Sequence, residues 1–163
     1  MAKVRHMTGE DADDVAALLA GSWQRTYAPL MGAEKVAAEV ADFTAERIAS
    51  DLKRPHSESF VAVADDGAIV GYAYAIVEKG VLWLDKLHLL PEQQGSGIAS
   101  ALLQAVMVNY VGEPSISLEV IDGNDRAISF YEKNGFMLVE RKSACGNIQG
   151  VPTLVMRRSL PRA

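Results

Sequence analysis

The segment Leu87-His-Leu-Leu-Pro-Glu-Gln-Gln-Gly-Ser-Gly-Ile-Ala-Ser-Ala-Leu-Leu103 decides how the rest of the chain is read. Apolar residues lead into a turn carrying Pro91, Gly95 and Gly97. The turn runs directly into a helical pattern that Ile98 opens, with Leu102, Ala105 and Val106 on one side. Glycine lets a backbone turn tightly and approach a ligand with no Cβ in the way. The free amides of a helix's first turn carry partial positive charge and suit phosphate or pyrophosphate oxygens. An anion site is therefore expected at Gln94 to Ala99. Taken alone, the stretch serves equally well as a plain strand-to-helix connection.

Outward from this segment the periodicities are clear. Upstream, Ser59 to Ala64, Ile69 to Glu78 and Val81 to Leu89 read as strands. Asp65-Asp66-Gly67 and Lys79-Gly80 are the turns between them, so the three form an antiparallel meander. Nearer the N-terminus, Lys3 to Met7 suits a short strand, and polar Thr8 to Asp14 suits a helix start. Val15, Leu18, Leu19, Ser22 and Trp23 then recur on one helical face until Pro29 and Gly32 are expected to break it. Val36, Val40 and Phe43 mark a second helical stretch, and Thr44 to about Leu52 a restart that Pro55 ends. Downstream, Ser115 to Ile121 is a strand. Asp125 to Asn134 is a helix capped by Gly135. Phe136 to Ala144 and Pro152 to Arg157 are two strands around a Gly-containing turn. The order predicts an α+β fold in three layers, a mainly antiparallel mixed sheet flanked by helices.

With 163 residues, the chain suits one domain over 1–163. Its 49% hydrophobic and 23% charged residues are those of an ordinary globular protein. A net charge of -5 argues against a nucleic-acid partner. A single cysteine, Cys145, excludes an intramolecular disulfide and suits a reducing compartment. No apolar run reaches membrane-span length. Met1 to Glu10 has no signal-like core. A cytoplasmic protein without a membrane partner is expected. His6 and His56 form no cluster and Cys145 has no ligand spacing around it, so no metal is expected.

Gly95-x-Gly97 opens like a dinucleotide fingerprint, with Glu119 at roughly the ribose-contact distance of about 20 residues. The third glycine position holds Ser100, however, and an antiparallel meander precedes the motif where a parallel sheet is needed. A P-loop lacks its Gly-Lys-Ser/Thr. A different match is fuller. Gln94-x-x-Gly97-x-Ala99 resembles the coenzyme A motif of the GNAT superfamily of N-acetyltransferases, Gln/Arg-x-x-Gly-x-Gly/Ala. Leu87-His-Leu-Leu-Pro91 resembles its usual lead-in. Asn124-Asp-Arg-Ala-Ile-Ser-Phe-Tyr-Glu-Lys-Asn-Gly-Phe136 resembles its second motif, in the right order.

The resemblance implies a GNAT-like acyl-CoA N-acyltransferase fold over the whole chain. It also implies transfer of an acetyl group from acetyl-CoA to a primary amine: a small molecule, a polyamine, or a protein N-terminus or lysine. It assigns the pantetheine arm to the backbone of Leu87, His88 and Leu89, and the pyrophosphate to Gln94, Gly95, Ser96, Gly97, Ile98 and Ala99. Asn124, Ala127 and Phe130 would lie along the cofactor and Lys133 would reach its phosphates. Tyr131 would protonate the departing thiolate. Many superfamily members are homodimers.

Each of these residues also has a plainer use: Asn124 as a helix cap, Phe130 and Tyr131 as packing, Lys133 as a solvated charge. For the general base, Asp85, Glu119 and His88 stand level. Alternation puts Asp85 and His88 on opposite faces unless a bulge intervenes, and many superfamily members use a chain of waters instead. The resemblance places the acceptor groove between Ala12 to Leu52 and Ala144 to Pro152, with Trp23 and Tyr27 as candidate acceptor contacts. Because no base stands out, a GNAT-like domain that binds acyl-CoA as a sensor, without turnover, is the alternative.

Overall fold

The computed structural model describes residues 2–161. The elements are β1 (Lys3–His6), α1 (Ala12–Met31), α2 (Ala33–Val40), α3 (Ala45–Asp51), β2 (Ser57–Val63), β3 (Ile69–Glu78), β4 (Val81–Leu89), α4 (Ile98–Asn109), β5 (Ser115–Ile121), α5 (Asp125–Lys133), β6 (Met137–Cys145) and β7 (Ile148–Ser159). Seven strands make one sheet in the order β1-β2-β3-β4-β5-β7-β6. Every neighbouring pair is antiparallel except β4 and β5, which run parallel.

Helices cover both faces of the sheet, as alternation along its strands requires. On one face Leu102, Leu103 and Val106 of α4 pack with Ala73, Leu82 and Leu84, and Tyr131 and Phe136 join them. On the other, Val15, Leu18 and Leu19 of α1 and Ile48 of α3 pack on Val61, Tyr72 and Tyr74.

The break between β4 and β5 positions the site. Tyr74 pairs with Lys86 but Ala75 pairs with Leu84, so Asp85 is an extra residue, a bulge that bends β4. Trp83 pairs with Ser117, the sole register position joining β4 to β5, and beyond it the strands part. The Leu90 amide bonds Val70 O at 3.0 Å, on the β3 side. By alternation, the N–H and C=O groups of Leu87 and Leu89 point to the open side.

Three expectations need correction. Pro29 lies inside α1, and the helix ends at Gly32 (φ 94°). A proline this near the C-terminus forfeits one hydrogen bond, to the Arg25 carbonyl, and leaves most of the helix untouched. Phe43 lies in the turn between α2 and α3, where its ring meets Trp23. The last strand begins at Ile148, well before Pro152, and turns back from β6 through Gly146 and Asn147. Pro152 is tolerated because the β6 register shifts beside it, between Lys142 and Ala144.

Candidate active site

A cavity of about 250 Å³ fills the gap between β4 and β5. Leu87, His88 and Leu89 form one wall, and Glu119 and Val120 of β5 the facing one. Gln94, Gly95 and Ala99 close one end. Asn124, Arg126, Ala127, Phe130 and Tyr131 come from the start and body of α5, and Ser22, Thr26 and Tyr27 from α1.

The glycine loop has the form the sequence requires. Gly95 (φ 82°) and Gly97 (φ 88°) are left-handed, and a Cβ at either would meet nothing within 4 Å. Gly97 is the N-cap of α4, and no side chain caps that helix. Among the described residues, the amides of Gly95, Gly97, Ile98, Ala99 and Ser100 find no protein acceptor, whereas Ala101 bonds back to Gly97 O at 3.1 Å. Five free donors at a helix N-terminus form a cradle for an anion.

Asn124 does two things at once. Its Oδ1 caps α5 by accepting from the Ala127 amide at 3.5 Å, and it also lines the cavity. Tyr131 packs edge-on between Phe130 and Phe136, with ring centroids 5.3 and 5.5 Å away. Its hydroxyl has no protein partner, yet it is not among the sealed, unpartnered polar atoms of the described residues. The oxygen therefore meets the cavity. Burial, then the neighbouring Tyr27 phenol, pushes Tyr131 well above the ordinary phenol range, so it stays protonated.

Two of the three candidate bases reach the cavity. Among the described residues Glu119 supplies its only carboxylate, held by Lys142 Nζ at 3.1 Å and the Gly146 amide at 3.2 Å. His88 is 9% exposed, and its Nδ1 lies 2.8 Å from Ser22 Oγ. Burial, then the Lys86 charge, lowers His88 to about 4, against a smaller upward pull from Asp85. Asp85 itself does not line the cavity. Its carboxylate is half exposed and pairs with Lys86 Nζ at 2.7 Å.

Ser96, Gly97, Ile98 and Lys133 do not line the cavity, although the first three belong to the adjoining cradle. Trp23 stands behind the wall, its indole edge-on to Tyr27 at 4.6 Å. Sequence reading missed Ser22, Thr26, Val120 and Arg126. Ser22 was visible as a polar residue on an apolar helix stripe, with Thr26 one turn on. Arg126 sits inside the second motif and, among the described residues, is the one Lys or Arg lining the cavity.

The low value of His88 carries a stability consequence. The unfolded chain protonates this imidazole near pH 6.5, the folded chain only near 4. The unfolded state therefore binds more protons in that window, and stability falls as pH drops through it, by about 3 kcal/mol in all. The expected result is that His88→Gln, compared with the unchanged protein by urea unfolding at pH 7 and pH 4, loses about that much less stability on acidification.

The comparisons with known proteins agree with this geometry. Residues 18–136 match the Acetyltransferase (GNAT) family. An uncharacterized N-acetyltransferase of Mycobacterium bovis is 35% identical over 132 residues, which is 78% of this chain and 84% of that protein. The peptidyl-lysine N-acetyltransferase YjaB of Salmonella typhimurium is 27% identical over 141 residues, 86% of this chain and 87% of that one. The PaiA N-acetyltransferase of Thermoplasma acidophilum, solved with coenzyme A, superposes with a TM-score of 0.82 at 22% identity, covering 98% of this chain and 99% of that one. The chain belongs to the GNAT acetyltransferase family. It has the GNAT fold and is an N-acetyltransferase.

Proposed function

We propose that the protein transfers an acetyl group from acetyl-CoA to a primary amine in the gap between β4 and β5. The observation that carries this reading is the joining of three features at one cavity: the open β4 edge, the uncapped α4 N-terminus, and the Glu119–Tyr131 pair of proton-handling groups. The coenzyme A bound to the PaiA relative supports the choice of donor. The α4 amides take the pyrophosphate. The open N–H and C=O groups of Leu87 and Leu89 take the pantetheine arm. Arg126, better placed than Lys133, offers a cation to the phosphates.

The amine enters from the side of Tyr27 and the β6–β7 hairpin, where Glu119 meets it. An amine with a lysine-like pKa is only about one part in 2,500 neutral at pH 7, worth about 4–5 kcal/mol. The Glu119 carboxylate holds the ammonium and accepts or relays its proton. The freed amine attacks the thioester carbonyl, forming the C–N bond and an oxyanion beside the Leu89 N–H. Collapse breaks the C–S bond, Tyr131 gives its proton to the thiolate, and the second proton of the attacking nitrogen passes to the phenolate as the amide forms.

The acceptor is a primary amine, and lysine side chains are the first to try because the YjaB relative acts on peptidyl-lysine. The test follows free thiol from acetyl-CoA with a lysine peptide, a peptide with a free N-terminus and spermidine, and identifies the product by mass. Amine-dependent thiol release with acetylation of the amine is expected. Thiol release that no amine accelerates counts against the reading.

A further inference from the structure

Ser22 and His88 lie 66 positions apart in sequence yet form a buried side-chain hydrogen bond on the cavity wall, Ser22 Oγ to His88 Nδ1 at 2.8 Å. The direction of that bond follows from what surrounds it. Ser22 is 6% exposed and, among the described residues, its hydroxyl has no second partner. If Nδ1 carried the proton and donated to Oγ, the serine hydroxyl hydrogen would have no acceptor among the described residues and would depend on the cavity that Ser22 lines. The arrangement that gives the hydroxyl hydrogen a protein acceptor has Ser22 donating and Nδ1 accepting, and the inference takes that tautomer.

A neutral imidazole with an accepting Nδ1 carries its proton on Nε2. Among the described residues no atom receives that N–H, yet Nε2 is not among the sealed, unpartnered atoms. It opens on the cavity between Leu87 and Leu89, the stretch whose open backbone takes the donor in the reading above. An N–H in that position cannot take a proton from an amine, but it can give a hydrogen bond to an oxygen.

We propose that His88 is a hydrogen-bond donor to the acyl carbonyl oxygen through Nε2–H, and that Ser22 is the residue that positions it by fixing the ring's tautomer. His88 thus adds a side-chain donor to the backbone amide of Leu89 as charge gathers on that oxygen. The proton of the amine passes to Glu119, not to the imidazole. Tyr27, whose ring stands 6.2 Å from that of His88 and edge-on to it, helps keep the imidazole in place.

This inference rests on acetyl-CoA occupying the cavity, and the experiment separates the two. Long-range proton–nitrogen correlation spectra of the three histidines are recorded at pH 7, with His88 assigned by loss of its signals in His88→Gln. The free protein should show His88 as the Nε2–H tautomer. Acetyl-CoA should shift its Nε2 resonance, and coenzyme A, which lacks the acyl oxygen, should shift it much less. Ser22→Ala should mix the tautomers and lower kcat about three- to tenfold, the worth of one hydrogen bond, with the KM for acetyl-CoA little changed. Ser22→Thr should restore both. An Nδ1–H tautomer or an imidazolium in the free protein overturns the inference and leaves the acetyl-transfer reading standing. Equal shifts with the two ligands do the same. If neither ligand perturbs the Gly95 to Ala99 amides, the acetyl-transfer reading fails and the inference fails with it.

Discussion

Replacing Tyr131 by Phe is expected to lower kcat about a hundredfold while acetyl-CoA binding stays within about threefold. The size follows from the leaving group. General acid catalysis is worth about 10² to 10⁴, and a thiolate with a pKa near that of cysteine, about 8.5, needs the help less than an alkoxide would, which puts the effect at the low end. Among the described residues Tyr131 gives its hydroxyl to no group, and its ring rests on Phe130 and Phe136. The variant should therefore keep its packing, and thermal unfolding should move by only a few degrees. Burial holds the phenol in its protonated form, so the unchanged enzyme should show no alkaline loss of kcat from this group up to pH 10. A protein that only senses acyl-CoA would be indifferent to the change. Steady-state rates and calorimetric binding, measured on the same preparations, decide between the two.

The second large effect belongs to Glu119. Glu119→Gln should cut kcat/KM at pH 7 about a hundredfold or more, the usual worth of a positioned base. The loss should shrink as pH rises. Between pH 7 and 9 the neutral fraction of a lysine-like amine grows about a hundredfold without any help from the protein, so the variant gains more than the unchanged enzyme does. A loss that stays constant across that range would mean that Glu119 acts in binding or shape alone. The fold should tolerate the substitution. The Gly146 amide keeps an oxygen to donate to, and the ion pair with Lys142 is partly exposed, worth about 1 kcal/mol or less.

What could be read in the sequence was local. The meander from β2 to β4 announces itself through alternation and the Asp65-Asp66-Gly67 and Lys79-Gly80 turns, and the strand-loop-helix run through Gly95 and Gly97 sits where the residues said it would. The errors fall where tertiary contacts override a local rule. Pro29 stays in α1 because its cost near a helix end is one hydrogen bond. Pro152 stays in β7 because a register shift on β6 absorbs it. The arrangement of the site was the least legible part. The sequence reading allowed for a bulge on β4, but only strand pairing shows that Asp85 is the extra residue, and only burial and pairing separate it from Glu119 and His88. The Ser22–His88 bond joins two elements that no periodicity relates.

Acetyl-CoA binding in the gap between β4 and β5, with the glycine loop at its end, underlies every step of the proposed reaction. Its most direct test is a calorimetric titration of acetyl-CoA into the unchanged protein and into Gly95→Trp. Gly95 lines the cavity and a Cβ there meets no atom, so the indole would occupy the ligand's space. The left-handed backbone adds only about 1–2 kcal/mol of strain, and circular dichroism would confirm that the variant is folded. Saturable one-site binding by the unchanged protein is expected, weakened at least a hundredfold in the variant. Equal binding by the two proteins, or none by the unchanged one, would contradict it.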